Sequence, residues 1–352
     1  MIRFAGLLGA FLILVQLLLI SWGRLTKIHK INGQIAFLLI LFHAVSMLYI
    51  YGLSILKIGE FFRAFLALML FIVIVFTSVF LRKTMKYEIW YYIHLLTYIA
   101  VLLAFGHQNT SFPILWNSLY VFTFANVFYF KFLKLFLNFW KYKFKVEKIV
   151  QETESTVSLY ITGIDVEKFL FEPGQYVVIR FLTKDLIWQA HPFSFSAMPG
   201  KNNLRLTIKN SGDFTSQLAT CHLPLGTPVI LDGPYGEFTA EKSKSNKILL
   251  IAGGVGVTPL RVLVEQFVNQ KKDVVMVYAT RNKNEILFQK EMLKYNVKYI
   301  VGRLTKEVLQ NLIPDLTVHE VYICGPQSFN QSMKQYCREF GVKSIHLEQF
   351  ST

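Results

Sequence analysis

The stretch "HKINGQIAFLLILFH", His29–His43, starts polar, becomes continuously apolar and closes on a second imidazole. On a helix, 14 residues rise about 21 Å and stop roughly 40° short of four full turns. The two histidines therefore share one helix face, near opposite leaflets of a membrane. "HLLTYIAVLLAFGH", His94–His107, repeats the arrangement with a spacing of thirteen. Two such spans entering from the same side place His29 level with His94, and His43 level with His107. Neutral imidazole is a strong axial ligand for haem iron, and one histidine from each of two helices fills both axial positions. Thirteen residues of ideal helix turn His107 about 140° away from His94. Either the fourth span departs from ideality, which Gly106 could permit, or the two haems lie at different azimuths. Each histidine alone also reads as an interfacial side chain that snorkels or bonds a neighbouring helix. Four of them in matched pairs at matched depths favour two ligand pairs.

The chain of 352 residues is 53% hydrophobic and 15% aromatic, too apolar for one soluble globule of that length. The excess is concentrated in residues 1 to about 140. Five stretches there, about 4–22, 31–52, 61–81, 89–106 and 113–137, approach the roughly 20 residues needed to cross a hydrocarbon core. The first lacks a small-x-small cleavage site in "SWGRL" and reads as a span, not a signal peptide. Arg24, Lys27, Lys30, Arg82, Lys83, Lys86, Lys131, Lys134, Lys141 and Lys143 gather at alternate ends of the spans. By the positive-inside rule those ends face the cytoplasm, so the amino terminus lies outside and everything after Trp140 inside a multi-pass cell-membrane protein. The net charge of +15 then reflects topology and anionic lipid, with no nucleic-acid partner implied. Cys221, Cys324 and Cys337 fall in the cytoplasmic part, and an odd count there offers no disulfide framework.

Residues 143 to about 240 carry short alternating strands: "FKVEKIV", "VSLYITGI", "QYVVIRFL", "LRLTIKN" and "TPVILDG". They read as a small antiparallel barrel. In "HPFSFSA", His191–Ala197, an aromatic flanked by hydroxyls can lie against a flat ring, although "FSFS" also suits a buried strand. In "IKNSGDFTSQL", Gly212 lets backbone approach a ligand. Thr215 opens a helix whose free N–H groups suit a pyrophosphate, and Lys209 adds charge. After "EKSKSNK" the period changes. "KILLIAGG", "DVVMVYATR", "VKYIVGR" and "EVYICGP" are buried strands, separated by helical stretches such as "TPLRVLVEQFVNQ", "EILFQKEMLKY" and "FNQSMKQYCREFG". This predicts a doubly wound parallel sheet with ligands at strand carboxyl ends. "AGGVGVTP" sits at the first such end, where glycines clear space for phosphate and the helix after Thr258 offers its amino terminus; glycines kept only for packing are the plainer reading. "CGP", Cys324–Pro326, ends a strand beside the same crevice. Cys324 there reads either as a neighbour of nicotinamide or as an ordinary small buried thiol.

Taken together, "HPFS", "GDFT", "DGPYGEF", "AGGVGVTPL" and "CGP", in this order behind paired membrane histidines, resemble the ferric reductase and NADPH oxidase superfamily. The cytoplasmic half alone resembles the ferredoxin–NADP reductase family. The resemblance implies a transmembrane haem domain over 1–140, a FAD-binding barrel over 141–243 and an NAD(P)H-binding domain over 244–352. It places FAD at His191, Pro192, Phe193 and Ser194, with Lys209, Gly212, Asp213 and Thr215 near its pyrophosphate. NADPH or NADH falls at Gly253, Gly254, Gly256, Thr258 and Pro259 and at Cys324, Gly325 and Pro326. Two b-type haems fall on His29, His43, His94 and His107. Phe350 matches the terminal aromatic that shields the flavin, although Ser351 and Thr352 follow it here.

Hydride arrives as two electrons and haem iron accepts one, so a flavin between them can act as converter. The expected activity passes electrons from cytoplasmic NAD(P)H through FAD and two haems to a small acceptor outside, either O2, giving superoxide, or a ferric chelate. Arg63, Gln108 and Asn109 are candidate polar neighbours of that acceptor. Arg281 and Arg303 follow strand ends where a 2′-phosphate could be gripped, which leans toward NADPH. A flavin reductase on an inert anchor, and a nucleotide-sensing channel or transporter with proton-relaying histidines, are the competing readings. No residue pattern points to a protein partner.

Overall fold

The computed structural model describes residues 1–22, 26–108, 111–200, 202–210, 212, 214–215 and 223–349. Readings placed on Arg24, Asn109, Asp213, Cys221, Phe350, Ser351 and Thr352 lie outside these residues. The chain divides into two compact units, Met1–Phe136 and Leu137–Thr352.

The first unit is helical. Among the described residues five helical stretches are long and apolar enough to cross a membrane: Ile2–Ser21, Ile28–Tyr51, Gly59–Leu81, Tyr87–Phe105 and Pro113–Tyr142. The helices are α1 (Ile2–Ser21), α2 (Thr26–Tyr51), α3 (Gly59–Phe76), α4 (Tyr87–Leu95), α5 (Thr97–Phe105), α6 (Pro113–Phe128) and α7 (Lys134–Tyr142). Each of Thr77–Leu81 and Tyr129–Leu133 is a turn of π-helix continuing the helix before it. Small residues let α1 and α2 approach, as in other membrane helix pairs. A Cβ on Gly9 would stand 2.8 Å from Ile40 and 3.1 Å from the Ala36 carbonyl. Between the same helices Asn32 Nδ2 donates to Gln16 Oε1 at 2.7 Å and to the Leu12 carbonyl at 3.0 Å. Leu14, Ala36, Ala67, Phe71, Ala100 and Tyr120 form the core of the bundle. Leu38, Val121 and Phe128 are exposed on its outside, as suits contact with lipid tails.

The second unit begins with two three-stranded antiparallel sheets. One orders β1 (Lys145–Thr153), β2 (Thr156–Thr162) and β5 (Leu204–Lys209); the other orders β4 (His191–Ser194), β3 (Tyr176–Phe181) and β6 (Val229–Tyr235). The strands expected in one barrel thus pair as two sheets, linked by single bridges Lys145–Pro228 and Phe195–Leu206. Their facing side chains, among them Val146, Ile161, Ile179, Phe181, Phe195 and Leu206, close one core.

A five-stranded parallel sheet follows. It includes β7 (Lys247–Gly253), β8 (Asp273–Thr280), β9 (Val297–Val301), β10 (Glu320–Gly325) and β11 (Ile345–Gln349), in the order β11-β10-β7-β8-β9. Chain reversal between β10 and β7 creates the switch point at which open parallel sheets bind ligands. β11 is an added edge strand in a stretch read only for its terminal aromatic. The helix expected over "EILFQKEMLKY" reduces to one turn, Gln289–Met292. Phe288 at φ 57° interrupts it, since a left-handed residue cannot continue a right-handed helix. Leu287 and Phe288 are drawn into the core instead.

Candidate functional site

The four membrane histidines come together in the expected pairs. His29 and His94 have ring centroids 5.8 Å apart, and His43 and His107 6.2 Å. An imidazole–metal bond is about 2.0–2.1 Å, so two rings sharing one ion have centroids about 6 Å apart. Among the described residues no group of three or more His, Cys, Asp or Glu gathers as for a metal ion. Two imidazole pairs are what the bundle offers.

The departure from ideality lies at Leu96, not Gly106. Leu96 N–H donates to the Ile93 carbonyl, and Thr97 Oγ1 donates to the His94 carbonyl at 2.6 Å. This tightened turn separates α4 from α5 and so interrupts the helix between His94 and His107. Gly106 itself is ordinary right-handed backbone (φ −69°). It makes room for Arg63, whose guanidinium would stand 2.9 Å from a Cβ there.

Local bonds orient the rings. His43 Nδ1 lies 3.0 Å from the Ile2 carbonyl and His107 Nδ1 2.7 Å from the Ala104 carbonyl. A carbonyl only accepts, so Nδ1 carries the proton and Nε2 is left with its lone pair, the tautomer that binds metal. His94 Nδ1 is 3.4 Å from Ser78 Oγ, which also accepts from Trp90 Nε1 at 3.1 Å. Among the described residues His29 Nδ1 is buried and meets no partner. A Cβ on Gly6 would fall 2.8 Å from the His43 ring, so that glycine admits the imidazole. At His43–His107 tautomers, spacing and cradle fit a bis-histidine haem, and at His29–His94 the spacing fits a second.

In the second unit, β4 holds "HPFS". The His191 ring stacks on Phe214 with centroids 4.0 Å apart, Phe193 lies 6.3 Å from the same ring, Pro192 is exposed and Ser194 buried. Thr215 Oγ1 accepts from Gly212 N–H at 2.9 Å and donates to its carbonyl at 3.0 Å. Among the described residues, a Cβ on Gly212 would meet nothing within 4 Å. Lys209 pairs with Glu285 at 3.1 Å.

At the switch point the glycines divide into two sorts. A Cβ on Gly256 would lie 2.2 Å from the Cys324 carbonyl, and one on Gly253 or Gly325 2.7 Å from the Phe329 ring. Gly256 thus lets the start of the helix Val257–Asn269 approach β10, while Gly253 and Gly325 admit Phe329 of the helix Gln327–Glu339 against β7 and β10. Gly254, at φ 55° with nothing within 4 Å of a Cβ, is the one that clears space. The helix opens at Val257, one residue before Thr258. Thr258 Oγ1 is spent on the Val255 carbonyl at 2.9 Å, and Pro259 is buried. Cys324 is fully buried, which pushes its thiol well above the ordinary range; Pro326 precedes the helix Gln327–Glu339. Arg281 and Arg303 are exposed beyond the carboxyl ends of neighbouring strands β8 and β9, where Thr280 pairs with Val301.

Three family models match the chain in order: a ferric reductase like transmembrane component over residues 4–105, a FAD-binding domain over 141–239 and an oxidoreductase NAD-binding domain over 250–301. This is the domain order of the ferric reductase and NADPH oxidase superfamily. The chain is accordingly a membrane oxidoreductase with flavin and NAD(P)H domains. It is 29% identical over 225 residues to NADH oxidoreductase HCR of Escherichia coli, covering 60% of this chain and 68% of that protein. It is 26% identical over 241 residues to a flavohemoprotein of Candida albicans, covering 60% of each. The chain spans about three fifths of the flavohemoproteins' length. In fold it is similar to the FAD/NAD-binding domain of nitric oxide dioxygenase from Vibrio cholerae (TM-score 0.53, 23% identity), covering 59% of this chain and 98% of that one.

Sequence reading missed how this ferric reductase-type chain joins its flavin and nucleotide halves. Arg205 of β5, 5% exposed, holds Glu291 with Nη1 at 2.6 Å and Nη2 at 3.0 Å, and Arg261 Nε reaches the same carboxylate at 2.8 Å. Burial favours the neutral acid, but Arg205 and Arg261 outweigh it and hold Glu291 below the usual carboxylate range. The partners lie 86 residues apart, so no local pattern announces them.

Proposed function

We propose that this chain passes electrons from cytoplasmic NAD(P)H across the membrane to O2, forming superoxide outside. The observation that carries this reading is the two imidazole pairs, 14 and 13 residues apart along their helices. Bound flavin would take hydride and release electrons singly, and haem at each pair would carry them one at a time. Domains over 1–140, 141–243 and 244–352 divide the work, with the two antiparallel sheets acting as one partly closed barrel. His43, His107, His29 and His94 supply the ligands, and the rings of His43, His107 and His94 are fixed from behind through Nδ1. His191, Phe193 and Ser194 line the flavin ring, and Lys209, Gly212, Asp213 and Thr215 its pyrophosphate. Gly254 and the amino terminus of the helix Val257–Asn269 receive the nucleotide diphosphate, Arg281 and Arg303 a 2′-phosphate, and Phe350 covers the flavin. The Lys and Arg distribution orients the amino terminus outward.

The visible spectrum of the purified full-length protein tests this. Reduced bis-histidine bands are expected, with His43→Leu losing one set and keeping the flavin spectrum. Flavin bands alone would refute the wire and leave an anchored flavin reductase. Superoxide detected on the outer face of oriented vesicles supports O2 as acceptor, whereas reduction of ferric chelate without superoxide replaces it.

A further inference from the structure

The cavity at the His43–His107 level has apolar walls from α1, α2, α3 and α5, with Arg3, Gln108 and Tyr120 as polar contributors. Gln108 follows a ligand candidate directly, and two donors from α6 grip its side chain. The indole Nε1–H of Trp116 points at an amide atom 2.6 Å away; an indole can only donate, so that atom is Oε1. The Tyr120 hydroxyl donates to the same oxygen at 2.9 Å. Both acceptor directions of the amide oxygen are filled, and the orientation of the amide is fixed. Among the described residues no acceptor engages Nε2. Gln108 lines this apolar cavity, and an oriented N–H donor that no described residue occupies is poorly suited to binding a neutral molecule and well suited to meeting charge that appears later.

We propose that Gln108 is a catalytic residue: its Nε2–H donates to dioxygen as it takes up one electron, stabilising superoxide at the outer cavity. This rests on the reading of the chain as a superoxide-forming enzyme. The step balances as one electron from the outer redox centre plus O2 giving O2•−, with no proton transferred and Gln108 unchanged. Neutral O2 is a feeble acceptor, while superoxide accepts a charge-assisted bond, so the donor lowers the barrier and not the binding energy of the substrate. Trp116 and Tyr120 are positioning residues that act through Oε1.

The test uses full-length protein carrying Gln108→Leu, which keeps bulk, Gln108→Glu, which keeps an acceptor but loses the donor, and Tyr120→Phe, which leaves residue 108 untouched. In both Gln108 variants superoxide formation is expected to fall roughly 10- to 100-fold, within the range for loss of one oriented donor or below it. Anaerobic reduction of flavin and b-type bands by NADPH stays at the wild-type rate, and the fraction of those bands reduced under air rises, because only the last step is slowed. Tyr120→Phe shows a smaller change of the same kind. Rates within twofold of wild type in both Gln108 variants, or slower anaerobic reduction in step with the aerobic loss, would overturn the role of Gln108 while leaving the superoxide reading intact. A wild-type protein with reduced bands and no superoxide overturns both.

Discussion

Replacing Glu291 by Gln removes the charge that two guanidiniums share and keeps the shape of the side chain. Three hydrogen bonds of 2.6, 2.8 and 3.0 Å end on this carboxylate. Bonds to charged groups contribute about 1.5–3 kcal/mol each by substitution, and breaking a fully buried pair costs about 3–5 kcal/mol. Glu291 is 36% exposed while Arg205 is 5% exposed, so water compensates one side only and about 2 kcal/mol is the expected loss. For a unit of this size each kcal/mol moves the midpoint by about 2–4 °C, which gives a Tm lower by about 4–8 °C. The assay is flavin release from intact protein in detergent, followed by fluorescence on heating. The sign of the pH dependence follows from the depressed Glu291 pKa. Stabilisation by the carboxylate is complete above the ordinary glutamate value of about 4.3 and disappears as pH falls through the lower folded value. The gap between wild type and variant should be constant from about pH 6 to 8 and close only in acid. A Tm within 1 °C of wild type at neutral pH would refute the idea that this carboxylate holds the two halves together.

Gly256→Ala should weaken the protein by about 1–3 kcal/mol, because its Cβ would meet a backbone carbonyl at 2.2 Å that cannot turn aside; unchanged flavin-release temperature would contradict the packing. Arg281→Ser with Arg303→Ser should raise KM for NADPH at least tenfold and leave KM for NADH near wild type, and an equal rise for both nucleotides would remove the arginines from 2′-phosphate recognition. In a Cys221→Ser background, Cys324 and Cys337 should resist thiol reagents until the protein unfolds, since both are fully buried and burial pushes Cys337 up to about 12. Rapid labelling of native protein would show that one of them opens to solvent.

The five spans and the histidine pairs were legible because both obey local periodicities: a run of apolar residues about a bilayer long, and imidazoles one membrane depth apart. The parallel strands "KILLIAGG", "DVVMVYATR", "VKYIVGR" and "EVYICGP" were legible for the same reason, as compact buried runs between helical ones. Features set by distant partners were not. Arg205 sits where alternation in "LRLTIKN" would expose it, yet both faces of β5 are covered, and its counter-ion arrives from the far side of a domain junction. Phe288 lies in an apolar stretch with helical spacing, but its ring takes the Arg205 guanidinium at 4.6 Å and the backbone there turns left-handed. In each case tertiary contact overrode a sound local preference.

The azimuth of His107 shows how a local rule can identify a strain and still misplace its relief. Thirteen residues cannot align two histidines on an ideal helix, and glycine is the residue that most readily departs from one. Yet Gly106 lies at the far end of the span, where a bend would move His107 but leave the intervening turns unaligned. A tightened turn immediately after His94 rotates everything beyond it at once. Thr97 can hold such a turn because its hydroxyl bonds the His94 carbonyl, which a continuous helix would give to an amide four residues on. The carbonyl of one candidate ligand is thus engaged at the break that separates it from the other along the span. Glycine at 106 then answers a different need, the close approach of Arg63.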